Sequence, residues 1–396
     1  MCNSKKILVL GASDFQLPAI IKAKEMGLDV AVADMNPDAV GVPYADKFYC
    51  VSTIDQRGIV DAAIDYQADG IVTLCTDMPM RALACACEAL GLAGLDRISA
   101  IRSTDKGEMI KAFEAAGVAH PRFKVIKNTQ ELNLDDFHLD FPLITKPTDN
   151  SGSRGIMLVE TPSKLKDAIA YSSSNGRDGE VIVEEYMRGP EVSVELMVID
   201  SIPYVLQITD KLTTLAPHFV EIGHSEPSRL PENDRKAIAE LASKAALAVG
   251  IKNGAGHAEI ILTEKGPKMV EIGARMGGGC ITTHLVPLST GIDMTRAMIN
   301  IALGEKADIE QKYEKGAAIR FIIPPIGKII AIEGEDEAKK IDGVQVVEIQ
   351  CKVGQVLSEL ESGASRIGYV IAQAETPEMA ISICEKALKH IHIQVE

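Results

Sequence analysis

Short apolar segments alternate with amphipathic ones through the first third of this 396-residue chain, and this alternation constrains the fold more than any other sequence feature. The patterns predict strands and helices in turn, at residues 6–10, 17–26, 29–34, 59–66, 70–74 and 80–90. Buried strands separated by helices form a parallel sheet with helices on both faces. A further helix over residues 104–116 ends at Gly117, so we predict an α/β domain over residues 1–117.

The rest of the chain mixes strands and helices less regularly. Predicted elements in its first part lie at residues 122–126, 142–146, 155–159, 163–172 and 181–187. Strand-rich segments follow at residues 191–200 and 204–209, and a helix over residues 233–249 carries a single apolar stripe. The last part combines short strands with a final helix over residues 377–389, which predicts an α+β domain.

Composition limits the partners that this protein can have. Lysine and arginine total 41 against 56 aspartates and glutamates, and the formal net charge of −15 argues against nonspecific nucleic-acid binding. Tryptophan is absent and aromatic residues make up 4%, so platforms for base stacking are not expected. We find no signal peptide and no apolar run long enough for a membrane span, and the eight scattered cysteines are typical of reduced thiols. These features predict a cytoplasmic protein that binds neither nucleic acid nor membranes.

Two glutamates in a predicted hairpin are the strongest functional signal. The segment over residues 257–272 has two apolar arms, and a turn near Lys265 puts Glu259 opposite Glu271. Facing like charges destabilise a sheet, and a cation bound between them removes the conflict. With Arg275 and three glycines after it, the pair predicts a magnesium and phosphate site. The alternative is a solvated hairpin face with two unrelated glutamates.

A polar, glycine-containing loop is the second signal. Lys146 ends a predicted strand, and the loop over residues 147–155 leads into the next one. Such a loop can fold over phosphates and donate backbone N–H groups to their oxygens, although a flexible surface hairpin is the alternative. The turn after the first strand keeps only Gly11 of the three glycines of a dinucleotide fingerprint, so a nicotinamide-dependent oxidoreductase is poorly supported.

Two further regions carry polar groups beside apolar segments. Residues 183–187 end a strand and Glu191 follows, an arrangement that suits a purine beside the strand and a ribose on the carboxylate. A charged strand end on the surface is the alternative. Residues 209–211 and 219–227 are predicted to be loops, which often carry specificity on a rigid scaffold. Within them, His224 fits a functional and a structural role equally well.

The ordered set of these features resembles the ATP-grasp superfamily. Lys106, Lys146, the glycine-containing loop, a Glu-Glu-Tyr-Met segment and two spaced acids followed by an arginine occur in that order. Residues 208–211, 219–224 and 271–278 look most like the L-amino-acid ligases that make dipeptides. The resemblance implies an N-terminal domain that precedes the ATP-grasp fold, a small and a large ATP-grasp subdomain, and a C-terminal α+β domain, at residues 1–117, 118–188, 189–307 and 308–396.

The resemblance also assigns roles to residues at matching positions. The ATP phosphates are expected to contact Lys106, Lys146, Ser151, Gly152, Ser153 and Gly155. Adenine and ribose are expected to contact Glu184, Glu185, Tyr186, Met187 and Glu191. Magnesium, or manganese, would be bound by Glu259 and Glu271, and the catalytic set comprises Lys211, Glu221, His224 and Arg275. Many members have an asparagine as a third metal ligand two residues after the second glutamate, where this chain has Gly273.

The function that the resemblance implies is an ATP-dependent carboxylate–amine ligase. A substrate carboxylate attacks the γ-phosphate of ATP and ADP leaves; an amine then displaces phosphate from the acyl phosphate and forms an amide, expected to be a peptide bond. This chemistry depends on positioning and charge neutralisation rather than on a nucleophilic side chain. The expected partners are small-molecule carboxylates and amines, amino acids in the first place, and a homodimer is the default. The alternatives are another ATP-grasp ligase, of the purine-biosynthesis or carboxylation type, and an ATP-binding regulator without catalysis.

Overall fold

A computed structural model of the chain describes residues 4–127, 139–150, 152, 154–214 and 219–396. Ser151 and Ser153, two residues of the predicted phosphate-covering loop, lie outside the described residues. None of the described helices combines the length and the apolar character that a membrane crossing requires.

The N-terminal segment folds into the predicted parallel sheet. Its elements are β1 (Lys6–Leu10), α1 (Leu17–Glu25), β2 (Asp29–Asp34), β3 (Lys47–Cys50), α2 (Gln56–Tyr66), β4 (Gly70–Val72), α3 (Met80–Leu90), α4 (Arg97–Arg102) and α5 (Lys106–Ala116). The four strands run parallel in the order β3-β2-β1-β4. The sequence pattern does not predict β3 or α4, because β3 is a short, partly exposed edge strand and α4 has only 6 residues.

A four-stranded antiparallel sheet follows. Its elements are β5 (Phe123–Ile126), β6 (Leu143–Pro147), β7 (Met157–Val159), α6 (Pro162–Ser174) and β8 (Val181–Glu185). The strand order is β5-β8-β6-β7, and α6 buries Leu165, Ala168 and Ile169 against the sheet. Lys146 and Glu184, both predicted to contact ATP, lie on the two central strands.

An eight-stranded antiparallel sheet forms the largest layer. The remaining elements are β9 (Glu191–Ile199), β10 (Ile202–Thr213), β11 (Glu221–Glu226), α7 (Glu232–Val249), β12 (Gly254–Thr263), β13 (Gly266–Gly273), α8 (Val286–Thr290), α9 (Met294–Ala302), β14 (Gly316–Phe321), β15 (Gly327–Glu333), α10 (Glu335–Lys339), β16 (Val344–Ile349), β17 (Val356–Leu357), β18 (Gly368–Ala374), α11 (Pro377–Leu388) and β19 (His392–Val395). Short helical turns lie at Val42–Tyr44, Ile281–Leu285 and Gly363–Ser365.

The large sheet joins the third and fourth predicted domains. Its strand order is β13-β12-β9-β10-β11-β14-β18-β16, and β15 lies between β17 and β19 in a separate small sheet. Strands β14, β16 and β18 follow residue 308, so the sheet is continuous across that predicted boundary. The domain boundaries themselves stay predictions.

Helix α7 supports the hairpin that carries the two glutamates. Glu232 and Asp234 lie in its first turn, where carboxylates are favoured, and Gly250 ends it in a left-handed conformation with φ of 96°. The predicted apolar stripe is buried, at Ile238, Leu241, Ala245 and Val249. This stripe packs against β12 and β13, so the hairpin lies on a rigid base.

Two segments that the sequence predicts to be loops are strands instead. Residues 209–211 lie within β10, and residues 221–226 form β11. Many of their polar side chains are buried, so the apolar alternation that identifies a half-buried strand is missing from the sequence. Lys211 pairs with His224 in the ladder between β10 and β11, which makes both residues parts of a rigid sheet.

Glu226 is a buried carboxyl group at the end of β11. Its Oε1 accepts a hydrogen bond from the Thr209 hydroxyl at 2.7 Å, and its Oε2 accepts one from the Ser289 hydroxyl at 2.8 Å. Burial raises the pKa of Glu226 to about 8, and the two hydroxyl donors offset only part of that rise. The carboxyl group is therefore largely protonated at neutral pH in the folded protein.

We predict that Glu226→Gln reduces the loss of stability that this protein undergoes as the pH rises from about 5 to about 8. Between the ordinary pKa of 4.5 and a folded-state pKa of about 8, only the folded state keeps the proton, so stability falls as the pH rises. Glutamine cannot ionise, so the substitution removes a pH-dependent loss of unfolding free energy on the order of 4 kcal/mol. Thermal midpoints at pH 5 and pH 9 measure the effect, with the exposed Glu375→Gln as control. Parallel pH profiles of the wild type and Glu226→Gln would contradict the assignment.

Candidate active site

The two glutamates face each other in the hairpin as predicted. Glu259 on β12 pairs with Glu271 on β13. Thr263 pairs with Gly266 at the turn, and an uninterrupted ladder from there would place Glu259 opposite Val270. A bulge next to Glu259 shifts the register by one residue and brings Glu271 into the facing position. The opposition of the two carboxylates therefore depends on this irregularity as well as on the turn.

Two lysines offset the charge of the facing glutamates. Lys106 Nζ lies 2.9 Å from Glu271 Oε2, and Lys211 Nζ lies 3.1 Å from Glu259 Oε1. Lys106 is the first residue of α5, whose N-terminus is capped by the Asp105 side chain. The hairpin carboxylates are thus paired with cations from two other parts of the chain.

Lys211 is the buried centre of a charge cluster. Its ammonium group also lies 2.6 Å from Glu191 Oε1 and 3.1 Å from Glu221 Oε1, and its side chain is only 4% exposed. The four residues of the cluster come from four neighbouring strands, β9 to β12. Burial alone would lower the pKa of Lys211, but the three carboxylates raise it well above its usual value. The ammonium group is therefore charged at neutral pH.

The carboxylates around Lys211 differ in their ionisation. Burial alone would raise the pKa of Glu259, but Lys211 and His257 together hold it well below its usual value. The pKa of Glu221 is also well below the usual range, because Lys211, His224 and Arg366 outweigh its burial. Burial and the neighbouring acids raise the pKa of Glu191 despite Lys211. Glu259 is therefore ionised, as a metal ligand must be.

A buried histidine, which the sequence reasoning missed, supports Glu259. His257 Nδ1 lies 2.5 Å from Glu195 Oε1, and its Nε2 lies 3.6 Å from Glu259 Oε1. Burial would lower the pKa of His257, but Glu195 raises it to about 9. His257 precedes Glu259 by two positions on β12, so the alternation of a strand could have placed both on one face.

Arg275 is held by an aspartate of the N-terminal domain. Its Nε lies 2.9 Å from Asp77 Oδ1, and its Nη2 lies 3.0 Å from Asp77 Oδ2. Burial would raise the pKa of Asp77, but Arg275 and Lys106 lower it, so the pair is ionic. Asp77 follows β4, at the carboxyl end of the parallel sheet, where ligand-binding residues of such sheets usually lie. That position was the available signal for Asp77.

Gly273 lies beside this ion pair. A Cβ atom on Gly273 would lie 2.8 Å from Asp77 Oδ1 and 3.1 Å from Arg275 Nε. The pair therefore fills the space into which an asparagine side chain would extend. Within the described part of the chain, no group of three or more His, Cys, Asp or Glu side chains is arranged to hold a metal ion. Two facing carboxylates still suit Mg²⁺, which often binds one or two protein carboxylates and completes its shell with phosphates and water.

The predicted adenine-binding residues lie at the end of β8. Lys146 Nζ is 2.8 Å from Glu184 Oε2, and both side chains are buried. The Glu185 carboxylate contacts Lys268 and lies 3.1 Å from Arg122 Nε. Backbone N–H groups of this segment also have partners, since Glu185 and Tyr186 donate to the carbonyls of Arg122 and Pro142. The Glu185 side chain is therefore engaged within the protein.

The described glycines of the predicted phosphate-covering loop have conformations that favour glycine. Gly152 has φ of 68° and Gly155 has φ of 78°, and a Cβ on Gly155 would lie 2.7 Å from the Cβ of Asn175. Lys106 Nζ donates to the carbonyl of Asn150 at 2.8 Å, so the loop is attached to the hairpin cluster.

A cavity of about 280 Å³ opens beside the hairpin. Asp77, Lys106, Asn150, Glu271 and Gly273 are among the residues that line it. The lining comes from the N-terminal domain, the polar loop and the hairpin, so three separate segments of the chain meet at one concave site.

Two family models match the chain. An ATP-grasp domain matches residues 139–284, and the L-amino acid ligase C-terminal domain 2 matches residues 320–396. The first match includes both hairpin glutamates and Arg275.

Curated proteins with similar sequences include a ligase. The alanine–anticapsin ligase of Bacillus subtilis is 28% identical over 320 residues, which cover 74% of this chain and 66% of that protein. The chain spans slightly less than two thirds of the length of the first curated relatives that it matches.

Solved structures of similar proteins share the fold. An L-amino acid ligase from Bacillus licheniformis has a TM-score of 0.87 at 21% identity, with 100% of both chains covered. A phosphoribosylglycinamide synthetase from Anaerococcus prevotii has a TM-score of 0.82 at 24% identity, with 99% of this chain and 100% of that chain covered. The chain therefore contains an ATP-grasp domain at residues 139–284 and an L-amino acid ligase C-terminal domain at residues 320–396, and it shares its fold with these solved ligases and synthetases.

Proposed function

We propose that this protein joins two amino acids through an acyl phosphate, with release of ADP and phosphate. The observation that carries the proposal is the facing pair Glu259 and Glu271 on a rigid hairpin, with Lys106, Lys211 and Arg275 close by. Anionic phosphates and a divalent cation would satisfy these opposite charges together.

The phosphates of ATP would lie between the hairpin and the polar loop. Lys106 and Lys146 would neutralise phosphate oxygens, and the loop that contains Gly152 and Gly155 would cover them, with Ser151 and Ser153 as predicted participants. Glu259 and Glu271 would hold Mg²⁺ or Mn²⁺, and the bound cation would supply positive charge to the phosphates.

The nucleoside would lie at the end of β8. Glu184 and the backbone of residues 185–187 would contact adenine. The N–H groups of Glu185 and Tyr186 already have partners, which leaves the other backbone groups of this segment for the base. The Glu191 carboxylate would accept hydrogen bonds from the ribose hydroxyls.

The reacting carboxylate would lie between the γ-phosphate and Arg275. Asp77 holds the Arg275 fork in one orientation, so the guanidinium can stabilise the transferred phosphoryl group and the acyl phosphate without first being ordered. Burial lowers the pKa of His224, and Glu221 offsets only part of this, so the neutral imidazole could accept a proton from the attacking amine. Lys211 would hold Glu191, Glu221 and Glu259 in place.

The choice of amino acids as substrates rests on the C-terminal match and on one named relative. Residues 320–396 match a domain of L-amino acid ligases, and the Bacillus subtilis relative is named for joining alanine to anticapsin. ADP release from Mg-ATP, measured over all pairs of the standard L-amino acids, tests the proposal. We expect ADP with particular pairs; release only with bicarbonate or purine-pathway amines would favour the other ligases, and ATP binding without any release would favour a regulator.

We predict that Glu271→Ala abolishes ATP turnover while the protein stays folded. The substitution removes one of the two carboxylates proposed to hold the metal and leaves Lys106 without its closest carboxylate. ADP release and the thermal midpoint are measured together, with Glu264→Ala in the exposed turn of the same hairpin as control. Retained turnover in the Glu271 variant would reject the metal assignment.

We also predict that Gly273→Asn lowers the rate of ADP release by roughly tenfold or more, because its side chain would displace the Asp77 and Arg275 pair. Gly304→Asn is the matched control, since a Cβ there meets no atom within 4 Å and asparagine tolerates its left-handed backbone. A fully active Gly273→Asn protein would show that the ion pair does not restrict this position.

A further inference from the structure

We propose that Arg366 binds the α-carboxylate of the acceptor, meaning the amino acid that supplies the amine. The inference rests on the proposed function and extends it, because it assigns a binding site to the second substrate and a role to the C-terminal domain. Arg366 lies just before β18, within the segment that matches the L-amino acid ligase C-terminal domain.

Arg366 extends from the C-terminal domain to the charge cluster on the large sheet. Its Nη2 lies 3.3 Å from Glu221 Oε2, and its guanidinium carbon lies 4.0 Å from the ring centroid of Phe321. The side chain is 16% exposed, so a small ligand can still reach it. The aromatic ring and the carboxylate fix the plane of the guanidinium.

Arg366 has unused capacity to donate hydrogen bonds. Its Nε is buried and has no hydrogen-bond partner among the described residues. Arg275, by contrast, donates two hydrogen bonds to Asp77 and one to the Met276 carbonyl. The Nε of Arg320 also lacks a partner among the described residues, but Arg320 is buried in the sheet. Glu221 is the one carboxylate that pairs with the Arg366 guanidinium among the described residues, so the exposed part of the guanidinium suits a second, incoming carboxylate.

The neighbours of Arg366 complement the rest of an amino acid. Glu221 lies on one side, and its Oε2 is also 3.6 Å from His224 Nε2. Both ring nitrogens of His224 are buried and lack a hydrogen-bond partner among the described residues. A cation, an anion and an uncharged imidazole therefore lie side by side, which matches the carboxylate, the ammonium and the released proton of an amino acid that becomes a nucleophile.

The proposed reaction requires a separate cation for the acceptor. The carboxylate of the first amino acid must lie at the γ-phosphate, near Arg275, because it is the group that is phosphorylated. The acceptor carboxylate must lie elsewhere, and Glu191, Glu221 and Glu259 would repel it. Arg366 supplies a positive charge beside Phe321 on β14, which lies on the opposite side of the cluster strands from β13 in the strand order.

Hydroxylamine separates the two halves of the reaction. It attacks the acyl phosphate in place of an acceptor, which yields a hydroxamate and inorganic phosphate, and it has no carboxylate for Arg366 to bind. In a first assay, the full-length protein with Mg-ATP is given each standard L-amino acid together with hydroxylamine, and the amino acids that form a hydroxamate are the active donors. In a second assay, each active donor is combined with each L-amino acid as acceptor. The same assay is repeated with the amide of each acceptor in place of the acid. Arg366→Met and Arg366→Lys are compared with Arg229→Met, whose guanidinium pairs with Asp210 outside the cluster.

We expect Arg366→Met to lower the ratio of peptide to hydroxamate at least about tenfold, as loss of a hydrogen bond between charged groups predicts. Arg366→Lys should lie between this variant and the wild type, and Arg229→Met should match the wild type. Wild-type protein should use the acceptor acid at least about tenfold better than its amide, whereas Arg366→Met should not distinguish them.

An unchanged peptide-to-hydroxamate ratio in Arg366→Met overturns the inference. Equal use of the acid and the amide by the wild type also overturns it, and this comparison holds even where a variant does not fold. If no L-amino acid gives a hydroxamate, the proposed function itself fails and the inference falls with it. Hydroxamate formation together with indifference to the acceptor carboxylate rejects the inference alone.

Discussion

The structure of the site depends on two carboxylates that face each other at close range. Glu259 and Glu271 would repel one another in an isolated hairpin, and the largely buried Lys106 and Lys211 offset that repulsion. Because those lysines come from the N-terminal domain and from the middle of the large sheet, the charge balance links three parts of the chain. Removal of one partner from such a buried network leaves an uncompensated charge, which is costly.

Much of the fold follows from local sequence patterns. The parallel sheet, the apolar stripe of α7 and the hairpin of β12 and β13 each have a clear periodicity within one segment. The sequence predicts that Glu259 faces Glu271 if the turn is centred near Lys265. In the structure the turn is centred about half a residue earlier, and a bulge restores the pairing of the two glutamates. The result was right, but the sequence does not reveal the bulge that produces it.

The parts that sequence reasoning missed are long-range or polar. Asp77 contacts Arg275, which lies 198 positions further along the chain, and Glu221 contacts Arg366, which lies 145 positions further along. No local sequence pattern indicates contacts over such separations. Residues 209–211 of β10 and the segment that contains β11 were predicted to be loops, because their buried positions carry charged and polar groups. Hydrophobic periodicity assigns such residues to the surface, so it fails where a sheet surrounds a charged site.

The central claim is that a substrate carboxylate takes the γ-phosphoryl group of ATP before the amide forms. Transfer of ¹⁸O from a labelled donor amino acid tests it directly, because the carboxylate oxygen that attacks phosphorus leaves with inorganic phosphate. The account predicts one ¹⁸O atom in each phosphate released during peptide formation. Unlabelled phosphate, released together with product, would contradict an acyl-phosphate route and the roles given to the hairpin glutamates and Arg275.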